Sequence, residues 1–419
     1  MQNISAPDYF PKFSCIGAAC EDTCCSGWAV NIDRDTYHNY KSNKHKALAP
    51  IFKIAVKKDT SPRANNRNNF GIMQLKPDGA CFFLEENQLC AIQKHLGAQA
   101  LSQTCKNYPR LFNRFGSQNE VALGISCPEA ARLILLNPEP MQFATISRDS
   151  GTNENTRFAY RWPATSDGDP SQMGVFNDFR ALLVGILQCR QISLGARLML
   201  IGLLLEESDL IVHAKTFRHA AELIPTLASF ANLLAYPEQV EAQFVKIQPN
   251  TLRKFAVLTQ LISDSLSVGA SMRFRQCLLD TVDGLKAEVG SVDSMGASSL
   301  TKYTHSHSHF YKPYFQNREY IFENYLVNHV IARLFPFTRG SYLDLYREMV
   351  FNLSIIQVVL VGMAAKHQGL DDATVIQVFQ SFARKSDHNS AYLEVLVKSL
   401  HADEHDSFAH IMWILKDPT

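Results

Sequence analysis

The chain has 419 residues, of which 46% are hydrophobic and 19% charged, and this composition excludes disorder over most of its length. With 41 basic and 40 acidic residues, the net charge of +1 argues against a nucleic-acid-binding protein that relies on a bulk cationic field. The N-terminal MQNISAPDYFPKF lacks a cationic segment followed by an apolar one, so we expect no secretory signal and a cytoplasmic protein. Apolar stretches at 198–205 and 355–365 are too short for a membrane span and predict buried helix segments.

Cysteine is concentrated near the N-terminus. Eight of the ten cysteines lie in the first 127 residues: Cys15, Cys20, Cys24, Cys25, Cys81, Cys90, Cys105 and Cys127. This asymmetry divides the chain into two regions, and together with the composition of the linker and the helical periodicity of the C-terminal region it predicts a mainly α-helical protein in three parts. The parts are an irregular cysteine-rich metal-binding domain at 1–136, a linker with a small β element at 137–175, and an α-helical domain at 176–419.

The linker and the C-terminal region differ in periodicity. Residues 137–175 are rich in Pro, Gly, Ser, Thr and Asn, and aromatic residues alternate at 158, 160 and 162 after a turn-like RDSGTN, which predicts a β-hairpin. Farther on, apolar residues recur at helical spacing, as in Phe176, Phe179, Leu183, Ile186 and Leu187. We predict helices at about 317–335, 341–366, 372–384, 390–401 and 406–415, and a flexible loop for the THSHSHF run within 284–312.

The clustered cysteines indicate a metal site. Thiolates gathered from several loops repel one another and are costly to desolvate unless a soft cation neutralises them, as zinc or an iron-sulfur cluster does. A disulfide framework suits secreted domains, and inert buried thiols would not explain the clustering, but both remain alternatives. The spacings match neither zinc-ribbon CxxC pairs nor a ferredoxin run, so they leave zinc and iron-sulfur open.

Four N-terminal segments, FSCIGAACEDTCCSGW, GACFFLEENQLCAI, LSQTCKNYPR and SCPEAARL, resemble the bacterial flagellin lysine-N-methylase family in this order. The C-terminal REYIFENYLVNHVIARLFPF resembles a second signature of that family. The resemblance implies methyl transfer from S-adenosylmethionine (SAM) to lysine ε-amines of flagellin. It also implies a [4Fe-4S] cluster held by the N-terminal cysteines, with zinc as the alternative, and we expect four to six of the eight to be ligands.

The second signature supplies candidate site residues. Asn324 and Asn328 lie on a polar stripe of a predicted helix, which suits either a cleft that binds SAM or an ordinary contact between helices. The lysine must lose a proton before it attacks, and Tyr320, Glu323 and Tyr325 are the candidate catalytic acceptors.

Two arginines follow cysteines of the first signature and are further candidates. Arg110 and Arg132 are expected to orient SAM or contact cluster sulfurs, with a surface salt bridge as the alternative. No G-x-G-x-x-G turn is present, so SAM must be held without a Rossmann-type phosphate loop.

The predicted function is therefore a SAM-dependent flagellin lysine methyltransferase with flagellin as its protein partner, no nucleic-acid partner and no membrane span. Two rivals remain. A radical-SAM enzyme is disfavoured because Cys20-x3-Cys24 lacks the third cysteine two residues later. A zinc- or iron-binding interaction module, such as a metal carrier or a flagellar adaptor, needs only the cysteine cluster.

Overall fold

Two small β-sheets organise the N-terminal part of the chain. The computed structural model describes residues 4–28, 30–61, 64, 67–147, 158–162, 173–211, 217–251, 254–255, 271–286, 297–338, 341–388 and 408–416. Its strands are Ile4–Pro7 (β1), Val30–Ile32 (β2), Val56–Lys58 (β3), Gly71–Met73 (β4), Arg110–Phe115 (β5), Gln118–Leu123 (β6), Phe143–Ile146 (β7) and Tyr160–Trp162 (β8). The larger sheet has the order β7-β1-β6-β5-β8 and the smaller one β2-β4-β3.

The hairpin of the larger sheet is not where the sequence predicted it. Strands β5 and β6 pair antiparallel through a tight turn, in which Gly116 adopts a positive φ of 59°. The predicted hairpin within 137–175 is wrong, because β7 pairs antiparallel with β1 while β8 pairs parallel with β5. Aromatic alternation identified a strand, but the partner of each strand was decided by residues far away in sequence.

The rest of the described chain is mostly helical, which confirms the mainly α class. The helices are Arg34–Ser42 (α1), Ala49–Ala55 (α2), Ala91–Leu96 (α3), Gln103–Asn107 (α4), Pro128–Leu135 (α5), Met173–Leu187 (α6), Leu194–Ile211 (α7), Leu223–Leu233 (α8), Pro237–Val245 (α9), Met272–Leu285 (α10), Ala297–Ser306 (α11), Lys312–Phe315 (α12), Tyr320–Ala332 (α13), Tyr342–His367 (α14), Asp372–His388 (α15) and Phe408–Leu415 (α16). Side-chain caps start several of them: Ser271 Oγ accepts from Phe274 N at 3.2 Å, and Ser341 Oγ accepts from Asp344 N at 3.0 Å. The helix predicted at 390–401 lies outside the described residues.

The buried apolar residues form two separate cores. A small core lies within residues 20–108, which we call the cysteine lobe, and contains Val30, Ile32, Tyr40, Leu48, Phe52, Ala55, Val56, Met73, Cys81, Phe83, Ala91 and Ile92. The other described residues, the main body, share one much larger core, which joins the five-stranded sheet to the helices. The predicted domain boundaries stay predictions, but these cores group the sheet and Cys127 with the helical region rather than with the cysteine lobe.

Helix α14 is the central helix of the main body. By length and composition it is apolar enough to cross a membrane, but 83% of its most apolar window is buried inside the protein, as in the core helix of a soluble protein. The apolar stretch at 355–365 lies in this helix, and the stretch at 198–205 lies in α7. Both predicted buried helix segments are confirmed.

The predicted loop at THSHSHF is wrong. Helix α11 continues through a π-helical turn at His307–Tyr311 into α12. The rings of His307 and Tyr311 stack with centroids 5.1 Å apart, and Ser306 Oγ donates to Val361 O at 2.7 Å. Residues 303, 307, 311 and 315 recur every fourth position and are all buried, so this aromatic stripe outweighs the loop preference of the flanking Gly and Ser.

Candidate functional site

Short backbone pairings bring the cysteine-bearing loops of the cysteine lobe together. Cys25 O accepts a hydrogen bond from Cys81 N at 2.7 Å, and an isolated β-bridge joins Ser26 to Ala80. Trp28 Nε1 donates to Cys24 O at 2.7 Å. These contacts hold the loop before β2 against the loop after β4, although neither loop has regular secondary structure.

Five thiols from four chain segments converge at this point. The thiol of Cys25 makes side-chain hydrogen bonds with Cys24 and Cys90, which raise its own pKa and lower the pKa of both partners. Burial raises the pKa of Cys81 and Cys105, and charge on Cys24 and Cys90 raises both values further. The thiols therefore lie close enough to oppose one another's ionisation.

The other three N-terminal cysteines lie next to this group. Burial raises the pKa of Cys20, and charge on Cys24 and Cys15 raises it further. Burial also raises the pKa of Cys127 to about 12, with smaller contributions from Cys20 and Cys24. Cys24 therefore links two neighbouring sets of thiols, and all ten cysteines are free of disulfide bonds.

The chemistry of this donor set fits a soft metal. Free thiols from separate loops that oppose one another's ionisation are the groups that zinc or iron stabilises as thiolates. Among the residues that the structure describes, no group of three or more His, Cys, Asp or Glu side chains stands at metal-ligand spacing. The predicted ligand set and the identity of the metal therefore stay predictions.

A cavity of about 350 Å³ opens beside these cysteines. Its walls come from α4, which contains Cys105, from β5, and from the segment that precedes Cys127. The residues that line it are Trp28, Asn31, Gln103, Thr104, Asn107, Tyr108, Pro109, Arg110, Leu111, Phe112, Gly124, Ser126, Ala159, Tyr160 and Arg333. Residues with aromatic, amide and guanidinium side chains thus line a space of the size of a small-molecule site, and none of the described lining residues is acidic.

The two predicted arginines have different environments. Arg110 lines the cavity with its guanidinium 4.9 Å from the ring centroid of Phe13, and no described carboxylate pairs with it. Arg132 lies elsewhere and binds two carboxylates, with Nη1 2.6 Å from Glu21 Oε1 and Nε 3.1 Å from Glu129 Oε2. Arg110 is therefore available to an anionic ligand, whereas Arg132 has the salt bridges that the sequence left as its alternative.

The predicted polar stripe of α13 faces the N-terminal part of the chain. Asn324 Nδ2 donates to Asn137 O at 2.8 Å, and Asn328 Nδ2 donates to Leu123 O at 3.2 Å. Asn328 Oδ1 accepts a hydrogen bond from the hydroxyl of Tyr9. Both amides are buried and donate to protein groups, so the geometry favours a contact between elements. Asn324 Oδ1 has no hydrogen-bond partner among the described residues, and the assignment of both amides to SAM stays a prediction.

Glu323 is the centre of a buried ion-pair network. Its carboxylate receives Arg190 Nε at 2.9 Å and Arg190 Nη2 at 2.8 Å, and Arg197 Nη1 lies 3.3 Å away. Only 1% of its side chain is exposed. Tyr325 packs on Phe379 with ring centroids 5.2 Å apart, and Tyr320 is partly buried beside the main core. None of the three predicted acceptors lines the cavity, and their catalytic role stays a prediction.

Several residues at this site were not predicted from the sequence. Trp28 and Tyr108 form a tilted ring pair across the cavity wall with centroids 5.4 Å apart, and both lie inside the cysteine signatures as CCSGW and TCKNYPR. An aromatic residue next to a candidate ligand was the signal that could have found them. Arg333 and Tyr160 come from distant segments, and no local pattern indicates that they meet.

Comparison with known proteins identifies the C-terminal region. Residues 180–414 match the FliB lysine N-methylase C-terminal domain. Over 142 residues the chain is 35% identical to a lysine-N-methylase from Salmonella choleraesuis, and this match covers 33% of the chain and 34% of that protein. A lysine-N-methylase from Salmonella typhimurium is 34% identical over 142 residues, which are again 33% of the chain and 34% of that protein.

The match to a third relative covers most of that protein's length. The flagellar biosynthetic protein FliU from Salmonella muenchen is 34% identical over 142 residues, which are 80% of its length. The match to the two lysine-N-methylases spans only about a third of their length. No solved structure matches the chain. Since the C-terminal domain match alone covers more than half of the chain, this protein belongs to the FliB lysine N-methylase family.

Proposed function

We propose that this protein transfers methyl groups from SAM to lysine ε-amines of flagellin in the cytoplasm. The observation that carries the proposal is the match of residues 180–414 to the FliB lysine N-methylase C-terminal domain. Similarity to proteins named lysine-N-methylase supports the methyl transfer, and similarity to a flagellar biosynthetic protein supports flagellin as the substrate.

The cavity beside the cysteines is the proposed site of SAM. The guanidinium of Arg110, which lines this cavity, suits the carboxylate of the methionine part of SAM, because Arg110 has no carboxylate partner among the described residues. The rings of Trp28 and Tyr108 suit the adenine and the positive sulfonium, which are attracted to aromatic faces. Amide side chains at Asn31 and Asn107 supply hydrogen bonds to the polar edges of the nucleoside.

The lysine amine then reacts as a nucleophile. Its nitrogen forms a bond to the methyl carbon while the carbon–sulfur bond breaks, and the electron pair of that bond stays on sulfur in S-adenosylhomocysteine. One proton leaves the nitrogen. Because Arg110 adds positive charge to the cavity wall, a lysine that enters is expected to have a lowered pKa and to give its proton to water.

The cysteines are the proposed ligands of a metal centre, a [4Fe-4S] cluster with zinc as the alternative. Cys24, Cys25, Cys81, Cys90 and Cys105 would supply thiolates from the converged set. Cys15, Cys20 and Cys127 lie next to it. When bound, a metal supplies positive charge that stabilises the thiolates and folding free energy to the loops that carry them.

Purified protein incubated with SAM and flagellin tests the proposal. We expect methylated flagellin lysines by peptide mass spectrometry and an equal amount of S-adenosylhomocysteine. Arg110→Ala should weaken SAM binding about tenfold or more, since it removes a charge-assisted contact, as measured by calorimetry with S-adenosylhomocysteine. Arg132→Ala is the matched control, because its guanidinium is already paired with Glu21 and Glu129.

The outcomes separate the parts of the proposal. Unmodified flagellin with unchanged SAM would contradict the methyltransferase function, and stoichiometric zinc in such a protein would favour the interaction module. If flagellin is methylated but the Arg110→Ala and Arg132→Ala variants bind SAM equally well, the assignment of SAM to this cavity is wrong.

A further inference from the structure

Helix α15 of the C-terminal region contacts the cysteine-bearing segments directly. Gln380 and Arg384 are one turn apart on the same face of this helix. Both lie inside the region that matches the family domain, whereas the cysteines of the predicted metal site lie outside it. The contacts therefore join two parts of the chain that are more than 250 residues apart.

Arg384 holds the backbone on both sides of Cys24 and Cys25. Its Nη2 donates to Thr23 O at 3.1 Å and also to Ser26 O. Its Nη1 lies 2.6 Å from Asp22 Oδ1. One guanidinium thus fixes both ends of the dipeptide that carries two converged thiols.

Gln380 joins this loop to a second cysteine segment. Its Nε2 donates to Asp22 Oδ2 at 2.8 Å and to Ser126 O at 2.9 Å. Asp22 lies between Cys20 and Cys24, and Ser126 directly precedes Cys127. A single buried amide therefore sets the separation of the loop at 20–26 from the start of α5.

The burial of this contact argues for a role in positioning. The side chains of Arg384 and Asp22 are 6% and 16% exposed. A buried ion pair of this kind contributes little net stability, because desolvation of both charges offsets their attraction. The pair instead determines the position of the backbone at residues 22–26, which Arg384 binds.

We propose that Gln380 and Arg384 are positioning residues that hold the Cys20–Cys25 loop and Cys127 in place for metal binding, so that metal retention depends on α15. The inference rests on the metal centre of the proposed function. It does not depend on the methyl acceptor, so failure of flagellin methylation leaves it intact.

The test measures metal loss from full-length protein. Metal in the purified protein is identified by mass spectrometry, and its release is followed with EDTA for zinc or bathophenanthroline for iron, at a temperature where circular dichroism shows every variant folded. We expect Gln380→Ala and Arg384→Ala to release metal about 10- to 100-fold faster, the usual effect of removing groups that orient ligands. Gln377→Ala is the matched control, since Gln377 lies one turn earlier on α15 and contacts Cys277 instead.

A conservative variant separates positioning from general destabilisation. Arg384→Lys keeps a positively charged donor for Thr23 O, Ser26 O and Asp22 and should recover slow release, at least in part, whereas Arg384→Ala should not. Equal release rates for the Gln380, Arg384 and Gln377 variants would overturn the proposal. So would a purified protein that contains no metal and takes up neither zinc nor iron.

Discussion

In the cysteine lobe, the described core consists of twelve buried apolar residues between short strands and helices, whereas the main body buries the faces of its sheet and helices in one continuous core. Hydrogen bonds from side-chain hydroxyls to backbone carbonyls add to the small core. Tyr40 donates to Ala100 O at 2.8 Å, and Thr104 donates to Asn31 O at 2.8 Å. A lobe of this size gains only roughly 3–5 kcal/mol from such a core. Its folding is thus expected to depend on a metal and on α15, while the main body folds on apolar burial.

The largest effect is expected where the main body buries charge. Glu323→Gln would leave Arg197, whose side chain is 2% exposed, without its full counter-charge, and should lower the free energy of unfolding by about 3–5 kcal/mol. Urea denaturation followed by circular dichroism measures this. Asp344→Asn removes an exposed partner of Arg347 and should cost less than about 1 kcal/mol.

The same variant tests the predicted base. If the folded fraction of Glu323→Gln methylates flagellin at the wild-type rate, the carboxylate acts only in the ion-pair network. A loss of turnover at a temperature where the variant is folded would restore its catalytic role.

A core deletion in the cysteine lobe should act locally. Phe52 is 1% exposed; its ring stacks on Tyr40 and packs against the tilted ring of Phe83, with centroids 4.4 and 4.8 Å away. Phe52→Ala should cost about 3–5 kcal/mol, which is close to all that the small core supplies. Hydrogen exchange should therefore accelerate across the lobe and remain slow in α14.

The matching deletion in the main body is the control. Phe176→Ala removes another ring that is 1% exposed, and its cost should be spread over the whole main body. If Phe52→Ala instead accelerates exchange in α14 as strongly as in the lobe, the two regions unfold as one unit.

A smaller effect is expected where α10 and α14 pack closely in the main body. A Cβ on Gly362 would overlap Thr281 Cγ2 and lie 2.8 Å from Thr281 Cα, so Gly362→Ala should force α10 away from α14 at a cost of about 1–3 kcal/mol. Gly185 on α6 has no atom within 4 Å of the same position. Gly185→Ala should therefore stabilise the protein by about 0.5–1 kcal/mol, and thermal unfolding compares the two variants. Equal melting temperatures would contradict this close contact.

Local patterns in the sequence determined much of the main body. The apolar face of Phe176, Phe179, Leu183, Ile186 and Leu187 is buried in α6, and the helices predicted at about 317–335, 341–366 and 372–384 correspond to α13, α14 and α15. These predictions hold because a helix closes its hydrogen bonds within one segment, so spacing along the chain reports its buried face.

Only the tertiary structure decided which groups meet across the chain. The partners of β7 and β8, the cavity formed by Trp28, Arg110 and Arg333, and the contact of α15 with the cysteine loop all join segments that are distant in sequence. Contacts between distant segments depend on how the whole chain folds, not on local spacing. The same reason explains the difference between Arg110 and Arg132. Both follow a cysteine signature, but the availability of a guanidinium depends on the carboxylates that the fold brings to it, and only the fold brought Glu21 to Arg132.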